Sequence, residues 1–143
     1  MNFRLKIAEL IILISQNTFF VRGKIRNLIW RSIEKIINYD TRTDPKTSRI
    51  KIKADGLPFY IYFDRRSDVK VASGNYNKKE IDFIKDCMTT NSTFVDIGSN
   101  IGIYSINIAS IYPKTDFFQI LSIEANPLMI ERQKENIELL NNI

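Results

Sequence analysis

At 143 residues the chain has the length of one domain, enough to bury roughly two-thirds of its unfolded surface. Hydrophobic residues make up 44% and charged residues 26%, a balance that excludes an intrinsically disordered or fibrous class. With no histidine and a single cysteine, Cys87, an internal disulfide, a Cys/His metal cluster and a Ser/His/Asp or Cys/His nucleophile built by this chain alone are excluded as well, and a reducing, cytoplasmic setting is expected.

The net charge of +5 is unevenly placed. Residues 1–37 hold seven Lys/Arg (Arg4, Lys6, Arg22, Lys24, Arg26, Arg31, Lys35) against two acids (Glu9, Glu34) and so carry the whole excess, while residues 38–143 hold fourteen of each sign. The basic character belongs to an N-terminal segment, and nucleic acid is not an expected partner of the rest. Within that segment, Leu10–Val21 is the longest uncharged stretch; it includes Ser15, Gln16, Asn17 and Thr18, too short and too polar for a bilayer span of about twenty apolar residues. Glu9 interrupts the apolar run and no small-x-small site follows, so a cleaved secretory signal is not expected.

From Phe19 to Ile37 the apolar residues Phe19, Val21, Ile25, Leu28, Ile29, Ile33, Ile36 and Ile37 recur mostly at three- and four-residue spacing, which predicts an amphipathic helix with a basic opposite face. Two tasks are open for this segment of residues 1–40. One is peripheral contact with an anionic membrane surface, with Trp30 at the boundary. The other, commoner among amphipathic helices, is packing of the stripe on the domain that follows.

Asp40–Ser48 has the composition of a linker, so a domain is expected from about residue 49 to 143. Arg49–Lys53 alternates apolar and basic residues, Asp55-Gly56 turns the chain, and Pro58–Phe63 is a second extended run; the pair predicts a β-hairpin. Glu80–Met88 places Ile81, Ile84 and Met88 on one side of a helix. Cys87 reads as a small apolar residue on that helix.

The chemistry-bearing stretch begins at Thr93. Phe94–Ile97 predicts a short strand with Asp96 near its end, Gly98-Ser99-Asn100-Ile101-Gly102 a tight loop, and Ile101, Tyr104, Ser105, Ile108 and Ile111 a helix that Pro113 stops. Such a loop gathers backbone N–H groups at a helix N-terminus, where a polar or anionic ligand group can bind, and its glycines let backbone and ligand approach closely. A second apolar run, Phe117–Ile123, ends in Glu124; an acid at the tip of the second strand of a βαβ unit can accept hydrogen bonds from both ribose hydroxyls. Asn126, as N-cap, and Pro127 open a further helix that reaches about Leu140. Taken singly, Asp96 as a strand-end cap and Glu124 as a solvated acid are each commoner readings than a ligand contact.

The blocks Phe-Val-Asp-Ile-Gly-Ser-Asn-Ile-Gly-Ile-Tyr-Ser (94–105), Ser-Ile-Glu-Ala-Asn-Pro (122–127) and Glu-Asn-Ile-Glu-Leu-Leu-Asn-Asn (135–142), in this order, resemble the opening of FkbM-type S-adenosylmethionine-dependent methyltransferases. The resemblance covers about residues 50–143, including the hairpin and the Gly74–Ile84 segment, and leaves out residues 1–40. It implies a Rossmann-like α/β fold that is incomplete here, with the first two parallel strands of a larger sheet and their helices. It also implies S-adenosylmethionine as cofactor and methyl transfer to a hydroxyl of a sugar or another small metabolite. Carried over position by position, Asp96, Gly98, Ser99, Asn100, Gly102, Glu124 and Asn126 form the expected cofactor set, the residues at 96–102 around the methionine end and Glu124 on the ribose.

A nicotinamide dinucleotide loop, G-x-G-x-x-G from Gly98, would need glycines where Asn100 and Ile103 stand. The adenine pocket, the acceptor site and any general base are expected from later strands, so no catalytic residue is assigned. The alternative from a different class is a truncated, non-catalytic remnant or a membrane-surface interaction module.

Overall fold

A computed structural model describes residues 6–7, 10–14, 28–29, 32, 49–62, 65–72, 76–111 and 118–141. Of the helix expected over Phe19–Ile37, Leu28, Ile29 and Ser32 are described and are helical; the rest of it, the linker at Asp40–Ser48, Gly74 and the loop at Tyr112–Asp116 lie outside the described residues. The chain divides into two compact units, residues 1–76 and 77–143. Among the described residues no helix is long and apolar enough to cross a membrane.

In the first unit, β1 (Ile50–Ala54) and β2 (Leu57–Ile61) pair antiparallel, with Ala54 opposite Leu57 across a two-residue turn. The turn residues Asp55 and Gly56 both have positive φ, 51° and 86°, as a type I′ hairpin turn requires. The expected hairpin is present, its first strand one residue later than expected and its second beginning one residue earlier and ending at Ile61. Alternation sends Ile50, Ile52 and Ala54 inward with Phe59 and Ile61, while Lys51 and Lys53 face solvent. On the solvent side the Arg49 guanidinium sits 4.4 Å from the centre of the Tyr60 ring.

The hairpin is followed by α1 (Arg66–Ala72), a helix that the sequence pattern does not announce. Its seven residues are too few for an apolar period to show, and it buries Val71 and Ala72. Asp68, buried in its first turn, accepts the Tyr62 N–H at 3.3 Å and so ties the helix to the end of the hairpin.

The second unit runs α2 (Lys78–Cys87), β3 (Thr93–Ile97), α3 (Ile103–Ala109), β4 (Gln119–Ile123) and α4 (Pro127–Asn141). On α2, Ile81 is buried and Ile84 half-buried, whereas Cys87 is exposed; Met88, expected on the same helix, is the extended, half-buried residue just past its end. β3 and β4 pair in parallel, Asp96 opposite Ser122 and Ile97 opposite Ile123, with α3 as the crossover that parallel strands demand. The described chain is therefore a small α/β protein with two two-stranded sheets, one antiparallel and one parallel.

The α3 helix is shorter than its sequence pattern predicts: Ile101 lies in the preceding turn and Ile111 is exposed beyond its end. Its buried residues, Ile103, Ser105, Ile106, Asn107 and Ile108, extend around most of its circumference. One face of the parallel pair, carrying Asp96 and Ser122, turns toward this helix. On the opposite face Val95, Ile97, Leu121 and Ile123 stand exposed, although the faces of parallel sheets are ordinarily covered. Because Ile97 is 79% exposed, Ile97→Thr is expected to change unfolding free energy by no more than about 0.5 kcal/mol, measured by urea denaturation. A larger loss would mean that this face is covered in solution.

Candidate functional site

The parallel register brings the carboxyl ends of β3 and β4 side by side, and every residue of the expected cofactor set lies there. Asp96 is buried one residue before the end of β3. Its Oδ2 accepts two bonds from the first turn of α3, from the Ser105 hydroxyl at 2.6 Å and the Ser105 N–H at 3.2 Å. Oδ1 takes part in neither. Since the single Ser105 proton goes to Asp96, the 2.5 Å contact between the Ser105 and Ser122 hydroxyls has Ser122 as donor. One carboxylate thus joins both strands to the helix through two serines.

Glu124, the first residue beyond β4, uses both oxygens: Oε2 accepts the Asn100 N–H and Oε1 the Asn126 N–H, each at 2.8 Å. It therefore bridges the loop after β3 and the loop after β4. Asn126 caps α4 as expected, its Oδ1 accepting the Leu128 N–H at 3.0 Å. Asn100 has a left-handed φ of 52°, a region that asparagine tolerates better than most residues, and its Oδ1 is buried with no hydrogen-bond partner among the described residues.

The loop differs from expectation in how its N–H groups are used. Those of Gly98 and Ser99 both reach the Ile123 carbonyl, at 2.8 and 3.2 Å, that of Asn100 goes to Glu124, and that of Gly102 goes to the Ser99 carbonyl at 2.8 Å. These four donors are satisfied by the protein itself, so what the site can offer a ligand is acceptors: the carboxylates at 96 and 124, whose oxygens can take further bonds, and the unpartnered Asn100 Oδ1. The physical reason is that the parallel ladder continues past Ile97, with the Ile123 carbonyl taking two successive donors.

The two glycines also separate in role. At Gly98 a Cβ would meet nothing within 4 Å, which leaves the backbone open to approach. At Gly102 a Cβ would stand 2.9 Å from Gln133 Cγ and 3.3 Å from Ile106 Cδ1, so glycine is needed there for packing. Ser99 is likewise turned inward, its hydroxyl donating to Gln133 Oε1 at 3.0 Å.

Four residues that the sequence reading leaves out of the site complete it: Ser105, Ser122, Gln133 and Asn136. A signal existed for Ser105, a hydroxyl on the first turn of the helix that follows the glycine loop. The other three are ordinary polar residues in a strand and a helix, and only the fold brings them to the loop. Comparison with protein-family models, with curated proteins and with solved structures returns no match.

Proposed function

We propose that residues 93–141 form the S-adenosylmethionine-binding opening of a Rossmann-like methyltransferase, of the FkbM type that the three sequence blocks resemble. Its acceptor would be a hydroxyl of a sugar or another small metabolite. The observation that carries this reading is the pair of carboxylates at the ends of adjacent parallel strands, linked across the glycine loop by the Asn100 N–H to Glu124 bond. The donor set fits the group: a carboxylate and a buried, unpartnered amide oxygen, Asn100 Oδ1, suit an ammonium, and a second carboxylate beyond the next strand suits a ribose diol.

S-adenosylmethionine supplies an already activated methyl group when bound. The tasks left to this chain are binding and orientation. Asp96, fixed by Ser105 and Ser122, would receive the ammonium at Oδ1; Gly98 would let the methionine end lie against the backbone; Glu124 would hold the ribose. Nothing in this set removes the acceptor's proton, and no residue is assigned that role.

Saturation-transfer NMR with S-adenosylmethionine tests the reading. Weak but saturable binding is expected. Glu124→Gln, which replaces one acceptor oxygen by a donor facing a backbone N–H, is expected to weaken it about tenfold and to lower stability by about 1–2 kcal/mol. Absence of saturable binding in the unaltered chain would remove the cofactor assignment. The second reading, a non-catalytic remnant or interaction module, is favoured by the exposed apolar face at Val95, Ile97, Leu121 and Ile123. Under that reading no nucleoside binds.

A further inference from the structure

The residues that α4 buries, Met129, Arg132, Gln133 and Asn136, recur at the spacing of one helix face, and three of the four are polar. A buried helix face is ordinarily apolar, so these side chains must answer to something other than a hydrophobic core. Two of them answer to the glycine loop. Asn136, fully buried, donates to the Ile101 carbonyl at 3.1 Å. Gln133, 6% exposed, accepts the Ser99 hydroxyl at Oε1, and its methylene stem lies against Gly102.

Together with Glu124 on the Asn100 N–H, loop residues Ser99, Asn100, Ile101 and Gly102 are each held by a side chain of the segment 124–136. Gln133 alone touches the loop at two points. Its Nε2 is buried with no hydrogen-bond partner among the described residues, which is unfavourable. An apolar residue of similar volume would fill the space without that penalty. What it could not do is accept the Ser99 hydroxyl.

We propose that Gln133 is the positioning residue of the glycine loop. Its Oε1 and stem fix the path of residues 98–102, and through it the relation of Asp96 to Glu124, without touching the ligand. Only the ligand arm of the following test rests on the cofactor reading above.

Gln133→Met keeps the stem and removes the acceptor; Ser99→Ala removes the donor. Amide hydrogen exchange is read on the free protein. The Asn100 and Gly102 N–H groups are expected to exchange about tenfold faster in either variant, and no faster in the double variant, while the Ser110 and Met129 amides, bonded to the Ile106 and Asn126 carbonyls outside the loop, keep the wild-type rate. Thermal stability of Gln133→Met is expected to stay level, because the loss of the unpaired Nε2 offsets the loss of the acceptor of the buried Ser99 hydroxyl. Binding is then compared for S-adenosylmethionine and for methylthioadenosine, which lacks the amino-acid end. Gln133→Met is expected to weaken the first about five- to tenfold and the second less than twofold. Unchanged loop exchange in Gln133→Met overturns the proposal, as does equal weakening of both ligands with faster exchange throughout. If the unaltered chain binds neither ligand, the cofactor reading falls and the exchange result alone decides the role of Gln133.

Discussion

Alanine at position 102 is expected to destabilise residues 77–141 by about 2–5 kcal/mol, against about 1–2 kcal/mol for alanine at position 98. Both glycines have a left-handed φ, 85° and 76°, so both substitutions carry a similar backbone strain. They part company in the space around them. A Cβ on Gly102 overlaps Gln133 Cγ at 2.9 Å and presses on Ile106 at 3.3 Å, whereas one on Gly98 meets nothing within 4 Å. Overpacking of about 1–3 kcal/mol therefore adds to the strain at one site only. Urea denaturation of the two variants measures the difference. Removing the obstructing stem should recover part of it, so Gly102→Ala in a Gln133→Ala background is expected to cost less than in the wild type. Equal losses at 98 and 102, or strict additivity with Gln133→Ala, would show that close packing is not why position 102 is glycine.

How far the sequence could be read depended on whether each element declares itself locally. The hairpin was legible because its turn is a local matter: Asp-Gly between alternating runs can close only a few ways, and both turn residues adopt the positive φ that this pair favours. The strand, glycine loop and helix at 93–109 were legible for the same reason. The α4 helix was legible in extent, from its Asn126 cap and Pro127, but not in orientation. Its apolar residues Leu128 and Ile137 are exposed, while Gln133 and Asn136 face inward, because there they meet the Ser99 hydroxyl and the loop backbone. Apolar periodicity reports which face seeks hydrocarbon; it is silent about a face that seeks carbonyls and hydroxyls. The same limit explains why Asp96 and Glu124 could be placed at neighbouring strand ends from spacing, yet the use of four loop amides within the protein itself could not be foreseen.

Asp96 carries the largest polar effect expected at this site, and two substitutions separate its structural and ligand-binding tasks. Asp96→Ala leaves the Ser105 N–H and the Ser105 hydroxyl without their acceptor in a buried position, a loss of about 2–4 kcal/mol from an N-terminal cap and unpaired donors together. Asp96→Asn retains one carbonyl oxygen, which can take the place of Oδ2 toward Ser105, so the fold is expected to lose only about 1 kcal/mol. The atom exchanged for an amide is then the one that stands in for Oδ1. If that oxygen receives the cofactor's ammonium, a donor now faces a donor and the negative charge is gone; affinity for S-adenosylmethionine should fall at least about tenfold in a protein that remains folded. Ser105→Ala is the converse control, expected to lower stability by about 1 kcal/mol and to leave affinity within about twofold, because it removes a bond to Oδ2 and leaves the carboxylate charge in place. Circular dichroism melts and saturation-transfer titrations of the three variants read both quantities. Should Asp96→Asn bind S-adenosylmethionine as tightly as the unaltered chain, the carboxylate is a helix cap for α3 and nothing more, and the ammonium must be recognised elsewhere.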